Sequence, residues 1–330
     1  MPLPAQFRQP LGRRLLRALI WLIGIGFLVG NSIVWRQAYA MTNFAPQGTP
    51  LRDFTTASFA RKVWTALVGV QLPRPENQFT PADLNLAFET HQIKLADGEH
   101  LEAWFVPHPA PRGIVVLFHG YAGAKDSLLV PAATFAQFGY SSFLIDFRGS
   151  GGSSGANTTL GLREATDVVA SIAYAKQQWP DQPLLLYGLS MGGAAILRAV
   201  AVEGQQPTAI IIEGVFDRFT STIEHRFAAV GLPAWPAAPL LVFWGSVQMG
   251  YNGFDHNPAS YARSVACPIL VMRGERDPWV SQSETRALTA EISAPKRIVE
   301  FPDIAHDLPY VTTSPELWET EVGAFLASLE

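Results

Sequence analysis

The sequence predicts an α/β fold with a mostly parallel central sheet and helices on both faces, and three observations carry that prediction. Short apolar runs alternate with longer segments of helical spacing, the order expected of consecutive βαβ units. The runs GIVVLFHG, SSFLIDFRG, PLLLYGLS, AIIIEGVF, PILVMRGERD and KRIVEFPD are apolar almost throughout, as strands covered on both faces must be. With 330 residues the chain is long enough to bury a core that needs no metal or disulfide, and its one cysteine, Cys267, has no partner within the chain.

Taken in order, the chain opens on a hydrophobic segment. Ala18 to Trp35 reads ALIWLIGIGFLVGNSIVW, about 18 uncharged residues, or about 27 Å of helix, just enough to cross a bilayer. Arg8, Arg13, Arg14 and Arg17 precede it, and only Arg36 and Arg52 follow closely. The positive-inside bias puts the N-terminus in the cytoplasm and the rest of the chain outside. A cleaved signal peptide is the competing reading, because Ala38, Tyr39 and Ala40 form an A-x-A pattern. Against it, signal h-regions usually run to about 7–15 residues. A buried N-terminal core helix is the third alternative.

Residues 1–40 are thus the cytoplasmic N-terminus and membrane or signal-anchor segment, residues 41–85 a linker with a short helix near Phe59 to Val70, and residues 86–330 the α/β domain. His91 to Val106 alternates apolar and polar residues around Asp97-Gly98, the dipeptide of type I′ turns, and predicts an antiparallel hairpin at the start of that domain. Helical spacing covers Leu162 to Trp179, Gly193 to Val202, Glu284 to Ile292 and Pro315 to Leu329.

Between Ala228 and Asn252 the chain carries no charge, which raises the question of a second span. Pro233, Pro236 and Pro239 interrupt a continuous helix. A second crossing would also separate Ser190 from Asp277 and His306, so the segment reads as part of a cap over the pocket, about residues 218–265 between strands six and seven. The net charge of −4, from 24 basic and 28 acidic side chains, leaves no basic excess for a nucleic acid. A hydrophobic content of 48% against 16% charged residues points to apolar surface that meets lipid.

The chemistry centres on Gly188-Leu189-Ser190-Met191-Gly192-Gly193, a G-x-S-x-G pattern directly after the strand PLLLY and directly before a helical run. A sharp strand-to-helix turn leaves no room for a Cβ two residues to either side of the serine. The helix N-terminus beneath it offers N–H groups to developing negative charge. A serine hydroxyl also needs a base, and the base needs a carboxylate to hold its tautomer. Asp277 ends the strand PILVMRGERD, and His306 follows the strand KRIVEFPD.

On Gly188 to Gly193, His119-Gly120-Tyr121-Ala122-Gly123, Asp146-Phe147-Arg148-Gly149, Gly274-Glu275-Arg276-Asp277 and Ala305-His306, the chain resembles the serine α/β-hydrolase family from about His91 to Leu329. It looks most like membrane-anchored, prolyl-oligopeptidase-like or lysophospholipase-like bacterial members. The resemblance implies the α/β-hydrolase fold, with Ser190 as nucleophile, His306 as general base and then acid, and Asp277 orienting it. The backbone N–H groups of Tyr121 and Met191 would form the oxyanion hole.

Asp217, after the strand AIIIEGVF, is the rival acid to Asp277. His119 reads as a brace for the oxyanion loop, and His225 and His256 as solvated loop residues. GSGGSSG at 149–155 lacks the lysine of a phosphate loop and reads as a mobile loop bordering the site. Trp235, Phe243, Trp244 and Met249 would suit an apolar substrate or ordinary lid packing equally well. No cofactor or metal is implied. The reading that follows is hydrolysis of a carboxylic ester, with lipid and other apolar acyl esters among the candidates, through an acyl-serine. The alternatives are a serine peptidase or amidase and a noncatalytic membrane-bound binding protein on the same scaffold.

Overall fold

Eight strands build one sheet: β1 (Glu89–Lys94), β2 (His100–Val106), β3 (Ile114–Phe118), β4 (Ser141–Ile145), β5 (Leu184–Leu189), β6 (Ala209–Glu213), β7 (Ile269–Gly274) and β8 (Lys296–Phe301). In this computed structural model, residues 11–46, 60, 64, 69, 71–229, 231 and 233–329 are described. Arg8 and most of the linker helix expected near Phe59 to Val70 lie outside them. The strand order is β1-β2-β4-β3-β5-β6-β7-β8. β1 and β2 form an antiparallel hairpin, β2 pairs antiparallel with β4, and every later pair is parallel. This is the α/β-hydrolase fold.

The helices are α1 (Leu11–Thr42), α2 (Leu129–Gln137), α3 (Glu164–Gln178), α4 (Met191–Glu203), α5 (Phe219–Ala229), α6 (Ala237–Met249), α7 (Pro258–Ala262), α8 (Gln282–Ala290) and α9 (Pro315–Ala327). Alternation along β3 assigns the faces. Ile114, Val116 and Phe118 share a core with Val168 of α3 and Ile196 of α4. Val115 and Leu117 share the opposite core with Phe135 of α2 and Trp318 of α9. Two-sided burial explains the continuous apolar runs.

Four local features depart from the sequence expectations. The hairpin turn is not type I′, since Asp97 keeps a negative φ and only Gly98 has a positive one, at 87°. Gly98 N–H donates to the Leu95 carbonyl at 3.2 Å and Leu95 N–H to Glu99, which is a type I turn closed by a glycine bulge. β8 is an edge strand with Lys296, Arg297, Ile298 and Glu300 exposed, so the last run is not covered on both faces. α2 carries no periodic signature, because its outward stripe of Val130, Ala133 and Gln137 begins with apolar residues, as its buried side of Leu129, Ala132 and Phe135 does. Pro239 does not break α6, because it sits in the first turn, where its missing N–H has no helical acceptor to lose.

Between β6 and β7, α5 and α6 form the cap, while Tyr261 and Ala262 of α7 return to the main core. The cap has its own apolar cluster of Ile223, Ala238, Leu241 and Val242, and Ala38 of α1 belongs to it.

Candidate active site

Ser190 stands where β5 turns into α4, with φ at 47° in the left-handed region, a strained conformation for a residue with a side chain. The turn depends on its flanking glycines. A Cβ on Gly188 would lie 2.6 Å from the Gly193 nitrogen, and one on Gly192 would lie 2.5 Å from the Phe118 carbonyl oxygen. The Ser190 N–H is anchored on the Glu213 carbonyl at 2.8 Å.

The histidine loop folds onto the ends of the neighbouring strands, and glycines again make the space. A Cβ on Gly214, which has φ of +59°, would come within 3.0 Å of the His306 ring. One on Gly274 would collide with the carbonyl oxygens of Ile304 and Ala305. Beneath the loop, the fully buried Glu213 accepts from Tyr187 Oη at 2.6 Å, Trp318 Nε1 at 2.6 Å and Tyr310 N–H at 2.8 Å. Burial pushes its pKa up against these bonds. The sequence reading gave Glu213 no role; a lone acid ending the run AIIIE was its only signal.

These supports bring three side chains together. Ser190 Oγ lies 3.2 Å from His306 Nε2, and His306 Nδ1 lies 2.6 Å from Asp277 Oδ2. Asp277 Oδ1 accepts from the N–H groups of Trp279 and Val280 at 2.8 and 3.0 Å, which orients the carboxylate. Nδ1 therefore carries the proton and Nε2 is left to accept from the serine. Asp217 is turned elsewhere: it accepts from Arg218 N–H at 2.7 Å and Arg218 Nε at 3.1 Å.

Tyr121 and Met191 sit on either side of the serine turn, Met191 as the first residue of α4 and Tyr121 on the loop after β3. That loop is braced by His119, which donates from Nδ1 to the Gly120 carbonyl at 2.8 Å and accepts at Nε2 from Phe147 N–H at 3.1 Å. Burial lowers the His119 pKa, and the neutral ring suits one donor and one acceptor nitrogen. Next to it, the buried Lys125 pairs with the buried Asp146 and, at 2.8 Å, with Glu102, and its ammonium lies 4.1 Å from the Trp104 ring centre. Asp146 also accepts from Lys125 N–H at 2.7 Å, Gly152 N–H at 2.9 Å and Asn77 Nδ2 at 2.9 Å. Burial raises its pKa, but the Lys125 charge and hydrogen bonds outweigh burial and hold it below the usual carboxylate range. This cluster was not singled out from sequence, since a lysine in a loop looks solvated.

Two loop expectations change. The stretch at 149–155 is held rather than loose: Arg74 donates to the carbonyls of Gly151, Ser153 and Gly155 at 2.8, 2.6 and 3.0 Å. Its glycines allow close approach to acids, since Cβ atoms on Gly151 and Gly152 would collide with the Asp146 and Glu102 carboxylates. His256 is buried, not solvated; its Nε2 donates to the Leu160 carbonyl at 3.1 Å while Nδ1 has no partner. Burial, with Arg198 nearby, lowers its pKa to about 4. His225 is half-buried, 3.0 Å from the Trp279 carbonyl. Among the described residues, no group of three or more His, Cys, Asp or Glu is arranged to hold a metal.

The Tyr121 side chain reaches away from the serine. Its hydroxyl donates to the Met41 carbonyl of α1 at 2.7 Å, and Arg226 of the cap stacks on its ring at 5.2 Å. Beyond it lies a shallow apolar cleft, bounded by Ala38 and Met41 of α1, Leu160, and Leu241, Gly245 and Met249 of α6. Of the apolar cap residues noted in the sequence, Met249 lines this cleft, Trp244 bonds to α1, and Trp235 and Phe243 are exposed.

A family model described as serine aminopeptidase, S33, matches residues 109–233. The uncharacterized Mycobacterium tuberculosis protein Rv2307c is 30% identical over 234 residues, which cover 69% of this chain and 74% of that protein. The chain belongs to the serine α/β-hydrolase family. This hydrolase is also similar to YfhR of Escherichia coli K12, at 24% identity over 73% of the chain and 81% of YfhR. Protein bem46 of Schizosaccharomyces pombe is 23% identical over 70% of the chain and 75% of its own length. In fold the hydrolase matches the Pyrococcus furiosus esterase Pf2001 with a TM-score of 0.65 at 23% identity, over 78% of this chain and 96% of that one. A thermostable carboxyl esterase from Bacillus coagulans matches at 0.60 and 17% identity, over 74% of this chain and 99% of that one.

Proposed function

We propose that this serine hydrolase cleaves carboxylic esters with apolar acyl groups, as a membrane-anchored, lysophospholipase-like member of its family. The observation that carries the reading is the continuous relay from Ser190 Oγ through His306 to Asp277, at 3.2 and 2.6 Å. Ser190 Oγ attacks the ester carbonyl carbon while its proton passes to His306 Nε2. The negative charge forming on the carbonyl oxygen is received by the N–H groups of Tyr121 and Met191, worth about a hundredfold or more in rate for each donor. His306 returns the proton to the departing alcohol, and water then repeats the sequence on the acyl-serine. The esterase neighbours and the apolar cleft favour an ester.

The description of the matching family model, a serine aminopeptidase, supports a second reading in which the same relay cleaves an amide. Labelling with a fluorophosphonate probe, combined with a p-nitrophenyl ester series and aminoacyl p-nitroanilides, separates the two. We expect labelling that vanishes in Ser190→Ala and His306→Ala, survives in Asp217→Asn, and accompanies ester turnover above anilide turnover. Faster anilide cleavage would transfer the assignment to the peptidase. A folded chain that does not label would point to the binding-protein alternative.

For the N-terminal segment, our reading is an uncleaved anchor with the catalytic domain on the extracytoplasmic side. The 31-residue helix from Gly12 to Thr42 contains an apolar stretch of 18 residues, long enough to cross a membrane. The A-x-A pattern lies within helix α1, where Ala38 and Ala40 are buried and Met41 and Thr42 accept from Tyr121 Oη and Thr158 N–H. Cleavage there would remove a packed side of the domain. Intact mass of membrane-extracted protein is expected to retain α1; a mature chain starting at Met41 would overturn the anchor.

A further inference from the structure

The exposed part of α1 and its uncharged part do not coincide. Gly12 to Val29 is exposed throughout, and burial against the domain begins at Gly30. After Arg17, only Ala18 to Val29 is both uncharged and free of the domain, roughly 18 Å of helix. A bilayer core is about 30 Å thick. For α1 to cross, Gly30 to Trp35, roughly another 9 Å, has to lie within the hydrocarbon as well. That stretch is docked on the cap.

The docking partner is α6. Trp244 Nε1 donates to Asn31 Oδ1 at 3.2 Å, and Gln248 Nε2 donates to the Trp35 carbonyl at 2.8 Å. These bonds seat the second half of α6 against Asn31 to Trp35 of α1. Its first half packs Ala238, Leu241 and Val242 in one apolar cluster with Ala38 of α1. Phe243 and Val247 are exposed on the outer side of α6, and no charge occurs between Ala228 and Asn252. A helix apolar on its outer side, fixed at the depth of a membrane span and without charge, has the features of a segment in contact with lipid.

Resting on the readings of α1 as a span and the chain as an esterase, we propose that α6 is seated in the bilayer beside α1. The cleft between them admits the acyl chain of a membrane lipid ester directly from the leaflet. The cleft is one tyrosine side chain from the oxyanion loop, since Met41 lines it and holds Tyr121 Oη. On its other side, Leu160 lines it next to Gly161, where a Cβ would lie 3.4 Å from the Met191 carbonyl. The acyl chain leaving an ester bound at Ser190 therefore has an apolar space to enter on the side facing α1.

The test uses the full chain in phosphatidylcholine vesicles. In a Cys267→Ser background, an environment-sensitive fluorophore is placed at Leu22→Cys, Phe243→Cys, Val247→Cys and, on α4 far from the cap, at exposed Val202→Cys, and quenched by lipids brominated on the acyl chains. We expect Phe243 and Val247 to quench like Leu22, and Val202 not at all. Quenching at Leu22 alone overturns the seating of α6, and quenching at none of the four overturns the span itself. For the cleft, Gly245 is the probe, because a Cβ there meets no atom within 4 Å and leucine favours the helix. Gly245→Leu should lower the ratio of p-nitrophenyl palmitate to p-nitrophenyl acetate turnover about tenfold, as crowding an apolar subsite does, with fluorophosphonate labelling intact. An unchanged ratio overturns the acyl role of the cleft. Wild-type protein that hydrolyses no ester overturns that role together with the esterase reading, while the seating of α6 still stands or falls on quenching alone.

Discussion

The two sides of Ser190 are built from different materials. On the β3 and β4 side, the loop carrying Tyr121 is fixed by His119 and by the Lys125, Asp146 and Glu102 cluster, with bonds between 2.7 and 3.1 Å. On the cap side, α1, α5 and α6 meet through Ala38, Ile223, Ala238, Leu241 and Val242 and leave an apolar cleft. Hydrogen bonds and ion pairs have narrow geometry, so they fix the backbone of that loop closely. Apolar contacts are non-directional and tolerate a partner of variable shape. The contrast is between a side fixed by directional polar bonds and a side packed by apolar contacts.

The sharpest way to break that contrast is Lys125→Met, which leaves the Asp146 carboxylate buried beside an apolar chain. We expect a loss of about 3–5 kcal/mol in chemical denaturation; a neutral result would mean that apolar packing alone holds the loop. Next in size is an acid sensitivity on the cap side from His256, whose folded pKa of about 4 is depressed from about 6.5 in the unfolded chain. The unfolded chain binds the proton more tightly, so this contribution is complete above about pH 6.5 and is lost as pH falls toward 4, about 3 kcal/mol in all. Melting curves across that range should flatten in His256→Asn. Gly192→Ala pushes a Cβ against the Phe118 carbonyl, and kcat/KM should fall about a hundredfold with a displaced elbow. The smallest effect expected is from Trp244→Phe, which removes the bond to Asn31 and should lower the stability of the cap by about 1 kcal/mol.

Much of this was readable in the residues. Buried parallel strands need apolar side chains on both faces, so β3 to β7 announce themselves, and the glycines around Ser190 mark a turn that only they can make. Other parts depend on what lies far away in sequence. Choosing between Asp277 and Asp217 required the path of the histidine loop across two strand ends. His256 and Lys125 are polar residues in loops, and only the packing of distant segments buries them. α2 turns Val130 and Ala133 outward, so its exposed stripe is apolar too and leaves no amphipathic pattern to detect. The end of α1 reads as the start of a linker because the partner of Thr42, Thr158, stands more than a hundred positions later.

That same separation sets an order in time. Trp244 and Gln248 follow the α1 residues they hold by 213 positions. At typical rates of synthesis, roughly 10 to 40 s pass before they emerge. The first helix made is therefore among the last to find its place, and until the cap is complete the lower flank of α1 has only its surroundings to cover it.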